Sequence, residues 1–174
     1  MAPPLQGQAS VSPDSHPEIL VVFTIETTRL AIAAAAVERV LEAAELSPLP
    51  GAPPAVAGII NIHGALTPVL DLRPRLKAAP RQPRRDAKLL LINAPRGPVA
   101  IEADEVLDVV TIDKESISSG TSLIAGTSLL KGIATVPDGL ILIQDVERLF
   151  SGEEEAVLDA VRPSASTSRA PSMR

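Results

Sequence analysis

An internal repeat is the feature of this sequence that most constrains its fold. Gly58 begins a Gly-Ile pair that is followed thirteen residues later by Asp71, and Gly132 begins a second such pair that is followed at the same interval by Asp145. Each interval holds a turn and an apolar run, and each aspartate precedes a short stretch with helical patterning. A repeat of this kind is typical of a chain built from related structural units.

The residues upstream of each copy match as well. The segment LAIAAAAVERV from Leu30 aligns with VAIEADEVLDV from Val99, and both are apolar at the first, second, third, eighth and eleventh places. We therefore interpret the chain as two related halves.

The segments of each half are short, rich in Val and Ile, and interrupted by Gly, Pro and Asn, which is typical of β-strands. Each half supplies about five such segments, too few for a broad open sheet but suited to a small closed barrel. The sequence thus predicts an all-β fold of two small five-stranded β-barrels packed together, with short helices. Because curved surfaces approach closely only where side chains are small, we expect Ala, Val and Leu to fill the seam.

Composition divides the 174 residues into three parts. Residues 1–17 are rich in Pro, Gln and Ser without periodicity, which predicts a disordered arm. Residues 18–151 form the predicted folded unit, in which the basic segment 73–88 is expected to be the crossover between the barrels. Residues 152–174 are predicted to be an acidic stretch followed by a disordered tail.

The composition also excludes several classes of function. No cysteine is present, which rules out thiolate catalysis and zinc-thiolate sites, and we expect neither a metal nor another cofactor. Phe23 and Phe150 are the only aromatic residues, so the stacking platforms of single-strand binders are missing. The N-terminus lacks the pattern of a signal peptide, and the most apolar run, 30–37, is too short to span a bilayer. We therefore expect a cytoplasmic protein without membrane insertion.

Candidate catalytic residues are few. Of the two histidines, His16 lies in the predicted arm, so His63 is the sole plausible general base. Ser128 and Asp71 could be nominated as its nucleophile and orienting acid, but no nucleophile motif surrounds them. We therefore predict that the protein is not an enzyme.

A carboxylate-rich segment invites a metal-site interpretation. Its acidic residues are Glu102, Asp104, Glu105 and Asp108. In a strand the first two share one face while Glu105 lies on the other, so their spacing does not predict a compact oxygen cage. We expect a solvated strand edge instead, which would also discourage edge-to-edge aggregation.

The segment 73–88 carries six Arg or Lys residues before Asp86. A solvated loop is one interpretation of this pattern. The alternative is a small β-barrel nucleic-acid-binding protein that uses this segment as its basic patch, although no aromatic residues are interleaved with the cations.

The residues around the first repeat resemble the signature of the CheW-like domain family, the adaptor modules of bacterial chemotaxis. The family pattern is G-x-x-N-x-R-G-x-x-x-P-V-x-D-L, and this chain has Gly58-x-x-Asn61-x-His63-Gly64-x-x-x-Pro68-Val69-x-Asp71-Leu72. Further matches are Phe23-x-Ile25, LAI from Leu30, VLDVVTI from Val106, and LLKGIATVPDGLILIQDVERLF from Leu129. The resemblance thus covers about residues 19–150.

The resemblance implies two SH3-like barrels and a function without chemistry. Such adaptors link methyl-accepting chemoreceptors, or analogous sensors, to the regulatory domain of a CheA-type histidine kinase. It further implies that nucleic acid is not a partner. The partner-binding residues that it indicates are Val37, Arg39, Asn61, His63, Gly64 and Leu66.

Two positions depart from the family pattern. The family usually has Arg where this chain has His63, and an acidic residue where it has Arg39. These positions are expected to pair in space near the partner surface, and an arginine with a histidine cannot form the bidentate carboxylate–guanidinium pair. The resemblance therefore leaves open whether the partner is a standard receptor array or a divergent kinase pathway.

Overall fold

The computed structural model describes residues 16–82, 85–119 and 130–161, and most of them belong to β-strands, as predicted. The strands are β1 (Pro17–Ile25), β2 (Thr28–Ala33), β3 (Val37–Glu42), β4 (Val56–Ile62), β5 (Ala65–Leu70), β6 (Lys88–Ala94), β7 (Gly97–Ala103), β8 (Glu105–Asp113), β9 (Ile117–Ser118), β10 (Leu130–Val136) and β11 (Gly139–Gln144). The α-helices are α1 (Arg73–Leu76) and α2 (Gly152–Val161).

The strands form two sheets, and each closes on itself. One sheet has the order β3-β6-β7-β5-β4, and a bridge between Ser47 and Ile59 joins the segment after β3 to β4. The other has the order β8-β1-β2-β11-β10-β9, in which β9 directly follows β8 along the chain and pairs with β10. We call these the five-stranded and the six-stranded barrel. The predicted fold of two small packed β-barrels is confirmed, with one extra short strand.

The two sequence halves exchange their first hairpins. The hairpin β1–β2 pairs with β8 and β11 from the second half, while the hairpin β6–β7 pairs with β3 and β5 from the first half. The segment 73–88 therefore connects β5 to β6 within one barrel, and its predicted role as the crossover is wrong. The chain passes between the sheets at Ala34–Ala36, a 3-10 turn, and at Asp104.

The repeat nevertheless governs the geometry of each barrel. Val69 of β5 pairs in parallel with Ala100 of β7, and Ile143 of β11 pairs in parallel with Ala31 of β2. These are matching positions of the two copies. The helical stretch expected after each aspartate is also present, as α1 in the first copy and as the 3-10 turn Val146–Arg148 in the second.

Three apolar clusters hold the barrels together. Val69, Leu89 and Ala100 form the buried centre of the five-stranded barrel, and a second cluster fills the six-stranded barrel. The largest cluster draws buried residues from β1, β2, β6 and β7 and forms the seam between the barrels. Phe23 and several isoleucines lie in this seam, so the expectation of a seam filled by Ala, Val and Leu is only partly correct. Large side chains fit because they interdigitate instead of meeting face to face.

Helix α2 extends the folded unit beyond the predicted limit at residue 151. Its Leu158 is fully buried in the seam, and its Glu154 is buried where it accepts hydrogen bonds from Arg75 of α1 and from the backbone of Ser151. The acidic stretch from residue 152 is thus an amphipathic helix and not an extension of the tail. Residues 1–15 and 162–174, for which disorder is predicted, lie outside the described residues.

The glycine of each repeat marks a β-bulge where another strand approaches closely. The pairing register shifts at Gly58 in β4 and at Gly132 in β10. A methyl group on Gly58 would stand 2.6 Å from the carbonyl oxygen of Ser47, and one on Gly132 would stand 2.9 Å from the carbonyl oxygen of Ser118. Both glycines therefore permit the backbone contact that closes a barrel.

A buried ionic cluster lies where the five-stranded barrel meets the chain crossing to the six-stranded one. Arg73 donates to Asp71 at 3.2 Å and to Glu102 at 3.4 Å, and its other terminal nitrogen binds Asp104. Arg81 adds a bond of 2.6 Å to Glu102. We call these five residues the Arg73 cluster. Its charges are tolerated away from water because they are paired with hydrogen-bonded partners.

The cluster continues into the six-stranded barrel. The other carboxylate oxygen of Asp104 accepts from the backbone nitrogen of Glu26 at 2.6 Å, and the Asp104 nitrogen donates to the Thr24 carbonyl at 2.8 Å. The Glu26 side chain in turn accepts from the backbone nitrogen of Ala79 at 3.0 Å. The β1–β2 turn of one barrel is thereby tied to the segment after α1 of the other.

Gly58→Ala should destabilise the fold, because its methyl group would meet a backbone carbonyl that cannot rotate away. We expect a loss of about 1–3 kcal/mol in the free energy of unfolding, measured by urea denaturation. Gly152→Ala is the matched control, since a methyl group there meets no atom within 4 Å. Equal unfolding midpoints for the two variants would contradict the role given to Gly58.

Arg73→Met should destabilise the fold more, because it leaves Asp71, Glu102 and Asp104 buried without their shared cation. The expected loss is about 3–5 kcal/mol in the free energy of unfolding. Arg39→Met removes an arginine that is largely exposed and serves as the control. If the two variants unfold at the same denaturant concentration, the Arg73 cluster does not stabilise the junction of the barrels.

Candidate partner-binding site

A two-residue turn between β4 and β5 carries the central residues of the predicted site. His63 has a φ of 51° and Gly64 a φ of 89°, the pair of positive values found in type I′ hairpin turns. No atom lies within 4 Å of where a Gly64 side chain would stand, so conformation and not space favours glycine here.

Asn61 holds this turn in shape. Its Oδ1 accepts a hydrogen bond of 2.8 Å from the backbone nitrogen of Gly64. This hydrogen bond fixes the backbone of the turn without help from a partner. Because the backbone is fixed on both sides, the exposed imidazole of His63 projects from a rigid base.

Val37 and Arg39 lie at the start of β3, on either side of a register shift against β6. Val37 is half-buried and packs against the seam, whereas Arg39 is exposed. The guanidinium of Arg39 donates to Glu38 at 3.1 Å, so it is bonded within its own strand and not to His63.

Two exposed apolar side chains accompany these polar residues. Leu66 is 49% exposed and pairs directly with Asn61 across the hairpin. Val40 is 44% exposed on β3, which is an edge strand in the hydrogen-bonded order of the sheet. Exposed apolar side chains such as Leu66, which lies beside the rigid turn, and Val40 are suited to contact with a protein partner.

The six-stranded barrel has the same two apolar positions. The offset of 69 residues that relates Leu30 to Val99 also relates Val40 to Val109, which is 57% exposed. The offset that relates the two repeat glycines relates Leu66 to Leu140, which is 55% exposed. We call Val40 with Leu66, and Val109 with Leu140, the matched apolar pairs.

The polar surroundings distinguish the two pairs. Where the five-stranded barrel has His63-Gly64 in its turn, the six-stranded barrel has Pro137-Asp138, and Asp138 binds Arg29 at 2.9 Å. Sequence analysis named Leu66 but missed the other three members. Applying the repeat offsets to Leu66 would have found Leu140, because the signal lies in the repeat and not in local hydrophobicity.

The candidate catalytic and metal residues form neither of the two sites considered, because three of them converge on an arginine. Asp71, Glu102 and Asp104 are engaged in the Arg73 cluster, so the prediction of a solvated edge is wrong for Glu102 and Asp104. Glu105 and Asp108 are exposed, as predicted. Across residues 16–82, 85–119 and 130–161 no group of acidic and histidine residues could hold a metal ion. Ser128 lies outside the described residues.

Much of the basic charge of segment 73–88 is used inside the molecule. Arg73, Arg75, Arg81 and Lys88 all bind carboxylates, and Lys88 reaches Glu42 at 2.6 Å. The predicted solvated loop is therefore wrong for Arg73, which is buried. The described residues of the segment do not offer the row of available cations that phosphate binding requires, so the nucleic-acid alternative is not supported.

This chain is similar in sequence to proteins of a known family. The family model of the CheW-like domain matches residues 20–154. The chain is 23% identical over 145 residues to "Chemotaxis protein CheW" of Klebsiella aerogenes, covering 82% of this chain and 87% of that relative. It is 29% identical over 102 residues to "Chemotaxis protein CheW" of Bacillus subtilis, covering 59% and 65% respectively.

A solved structure has a similar fold. The scaffolding protein TtCheW from Thermoanaerobacter tengcongensis superposes with a TM-score of 0.72 at 26% identity, covering 80% of this chain and 96% of that one. This chain therefore belongs to the CheW-like domain family.

Proposed function

We propose that this protein is a non-enzymatic adaptor in chemotaxis-type signal transduction, which couples a chemoreceptor to a CheA-type histidine kinase. Relatives over most of its length are named as chemotaxis proteins, and a structural neighbour is named as a scaffolding protein. The observation that carries the proposal is the presence of an exposed apolar pair on each of the two packed barrels.

A coupling protein needs two attachment surfaces held at a fixed separation. The matched apolar pairs supply one candidate surface on each barrel, and the seam and the Arg73 cluster supply the rigid connection. Because the polar residues beside the two pairs differ, the surfaces can select different partners. We assign the kinase regulatory domain to the surface around Asn61, His63, Gly64 and Leu66, together with Val37 and Arg39 of β3.

The location of the protein follows from its partners. In the parts of the chain that the structure describes, no helix is long and apolar enough to cross a membrane. We place the adaptor in the cytoplasm, at the inner ends of receptors that themselves span the membrane. The methyl-accepting class of receptor is the natural first candidate, with an analogous sensor as the alternative.

The departure at Arg39 and His63 bears on partner choice. Where the family usually has an acidic residue and an arginine, this chain presents a guanidinium and an imidazole beside a rigid turn. The surface is thus more basic than is usual, and it favours a partner with a complementary acidic surface. We infer that this adaptor serves a kinase pathway that differs from the standard receptor array.

Leu66→Ser should weaken binding of the regulatory domain of the native kinase, because it removes exposed apolar area at the proposed contact. We expect a loss of affinity of roughly tenfold, in line with about 1–2 kcal/mol for an interface residue of this size. Leu140→Ser is the matched control, similarly exposed on the other barrel, and isothermal titration calorimetry is the measurement. If Leu140→Ser alone weakens binding, the kinase surface lies on the six-stranded barrel and our assignment is wrong.

His63→Arg should weaken binding to the native partner, because it adds a second permanent cation to the surface that the proposal assigns to Arg39 and His63. His63→Arg combined with Arg39→Glu restores the family arrangement and should shift preference toward a conventional receptor and kinase. Titration of the wild type and both variants against native and conventional regulatory domains and receptor tips measures this. Identical affinities across the set would show that these positions lie outside the interface.

A further inference from the structure

An open cleft of about 600 Å³ lies between the end of β2, the β6–β7 turn and the segment after β11. Several alanines line it, among them Ala33 and Ala35. Gln144, Asp145 and Glu147 line it as well. The proposed adaptor function uses none of these residues.

The repeat shows which part of the fold this cleft corresponds to. The offset of 69 residues matches Ala33 to Glu102 and Ala35 to Asp104. The offset of 74 residues between the repeat glycines matches Asp145 to Asp71. The cleft is therefore the counterpart of the Arg73 cluster in the other copy of the repeat.

The two places differ in what fills them. In the first copy, the buried arginine Arg73 occupies the space and binds the aspartate that follows the strand. In the second copy the residue matching Arg73 is Glu147, which is exposed, while the matching aspartate, Asp145, is retained. The second copy thus has no arginine at the position that matches Arg73, but it has the matching hydrogen-bond acceptor, Asp145. Alanines in place of Glu102 and Asp104 leave room for an aliphatic stem.

The charges at the rim favour a cationic occupant. Asp145 and Glu147 are acidic, and the one lining lysine, Lys131, is bound to Glu18. Arg148 lies 3.7 Å from Asp145, but its side chain is 68% exposed and does not line the cleft. An arginine side chain entering the cleft would place its stem on alanine and its guanidinium on carboxylates.

The C-terminal segment, which contains arginines, follows helix α2 close to this cleft. Helix α2 ends at Val161, and its Asp159 binds Arg96 of the β6–β7 turn at 2.9 Å. Pro95, the neighbour of Arg96, lines the cleft. The following residues, 162–174, carry three arginines and no acidic side chain, and their length is ample to reach across one barrel.

We propose that the segment 162–174 binds in this cleft of the same molecule, with an arginine side chain taking the place that Arg73 occupies in the first copy. The arginines available are Arg162, Arg169 and Arg174. The C-terminal segment would then act as an internal ligand of the adaptor. The cleft that it occupies is separate from the proposed kinase surface around Leu66. A basic segment of another protein could bind there only by displacing it.

The absence of cysteine permits a direct test in the full-length chain, because a single introduced cysteine is unique. Ser168→Cys carrying a nitroxide label should cause loss of the amide signals of Ala33, Ala35 and Glu147 in nuclear magnetic resonance spectra. The counterpart signals of Glu102 and Asp104 should be retained. Uniform loss, or loss at the Arg73 cluster instead, would overturn the proposal.

Two further variants test the chemistry of the contact. Glu147→Gln in the labelled protein should restore the lost signals, whereas Glu153→Gln, an equal change of charge at an exposed position of α2, should not. Replacement of the three arginines by glutamine should restore them as well, and so should high salt. If the signals stay lost in these variants, arginine recognition is refuted. Signal loss that requires labelled and unlabelled chains to associate would refute binding within one molecule.

Discussion

The exchange of hairpins between the two halves is the constraint on which the rest of the structure depends. Each barrel needs strands from both ends of the chain, so neither can close before the other half is in place. The seam that results is the largest apolar cluster of the molecule, and it includes the fully buried Phe23 and Leu90. A close-packed seam between two interlocked barrels resists rotation of one against the other, and this is the property that a coupling protein needs.

The two copies of the repeat differ in the charged residues at their matching positions. One junction of the barrels is sealed by Arg73 and its carboxylates, whereas the matching junction has Glu147 and several alanines. The hairpin turns differ in the same way: the five-stranded barrel has His63-Gly64, and the six-stranded barrel has Pro137-Asp138 at the matching positions. Two barrels of common geometry therefore present different chemistry. A molecule with distinct ends can join unlike partners, whereas a symmetric one would bind like partners.

Local pattern predicted the strands, because alternation and turn signals are properties of neighbouring residues, and the sequence repeat predicted the division into two halves. It did not predict the hairpin exchange, since a strand's alternation fixes which face is buried but not which distant strand it pairs with. The burial of Glu102 was missed for a similar reason, because its partner Arg73 is 29 residues away and on another element. Within the candidate site, the sequence motif predicted the turn. Leu140 could also have been predicted, by applying the repeat offset to Leu66.

The rigidity of the β4–β5 turn explains how a small surface can serve as a docking site. Its backbone is fixed by the Asn61 side chain, so little conformational entropy is lost when a partner binds there. Under the proposed assignment, the exposed area of Leu66 contributes to affinity, and His63 and Arg39 contribute to partner choice. Substitution of these two residues should leave the fold undisturbed, because neither side chain takes part in the core or in the Arg73 cluster.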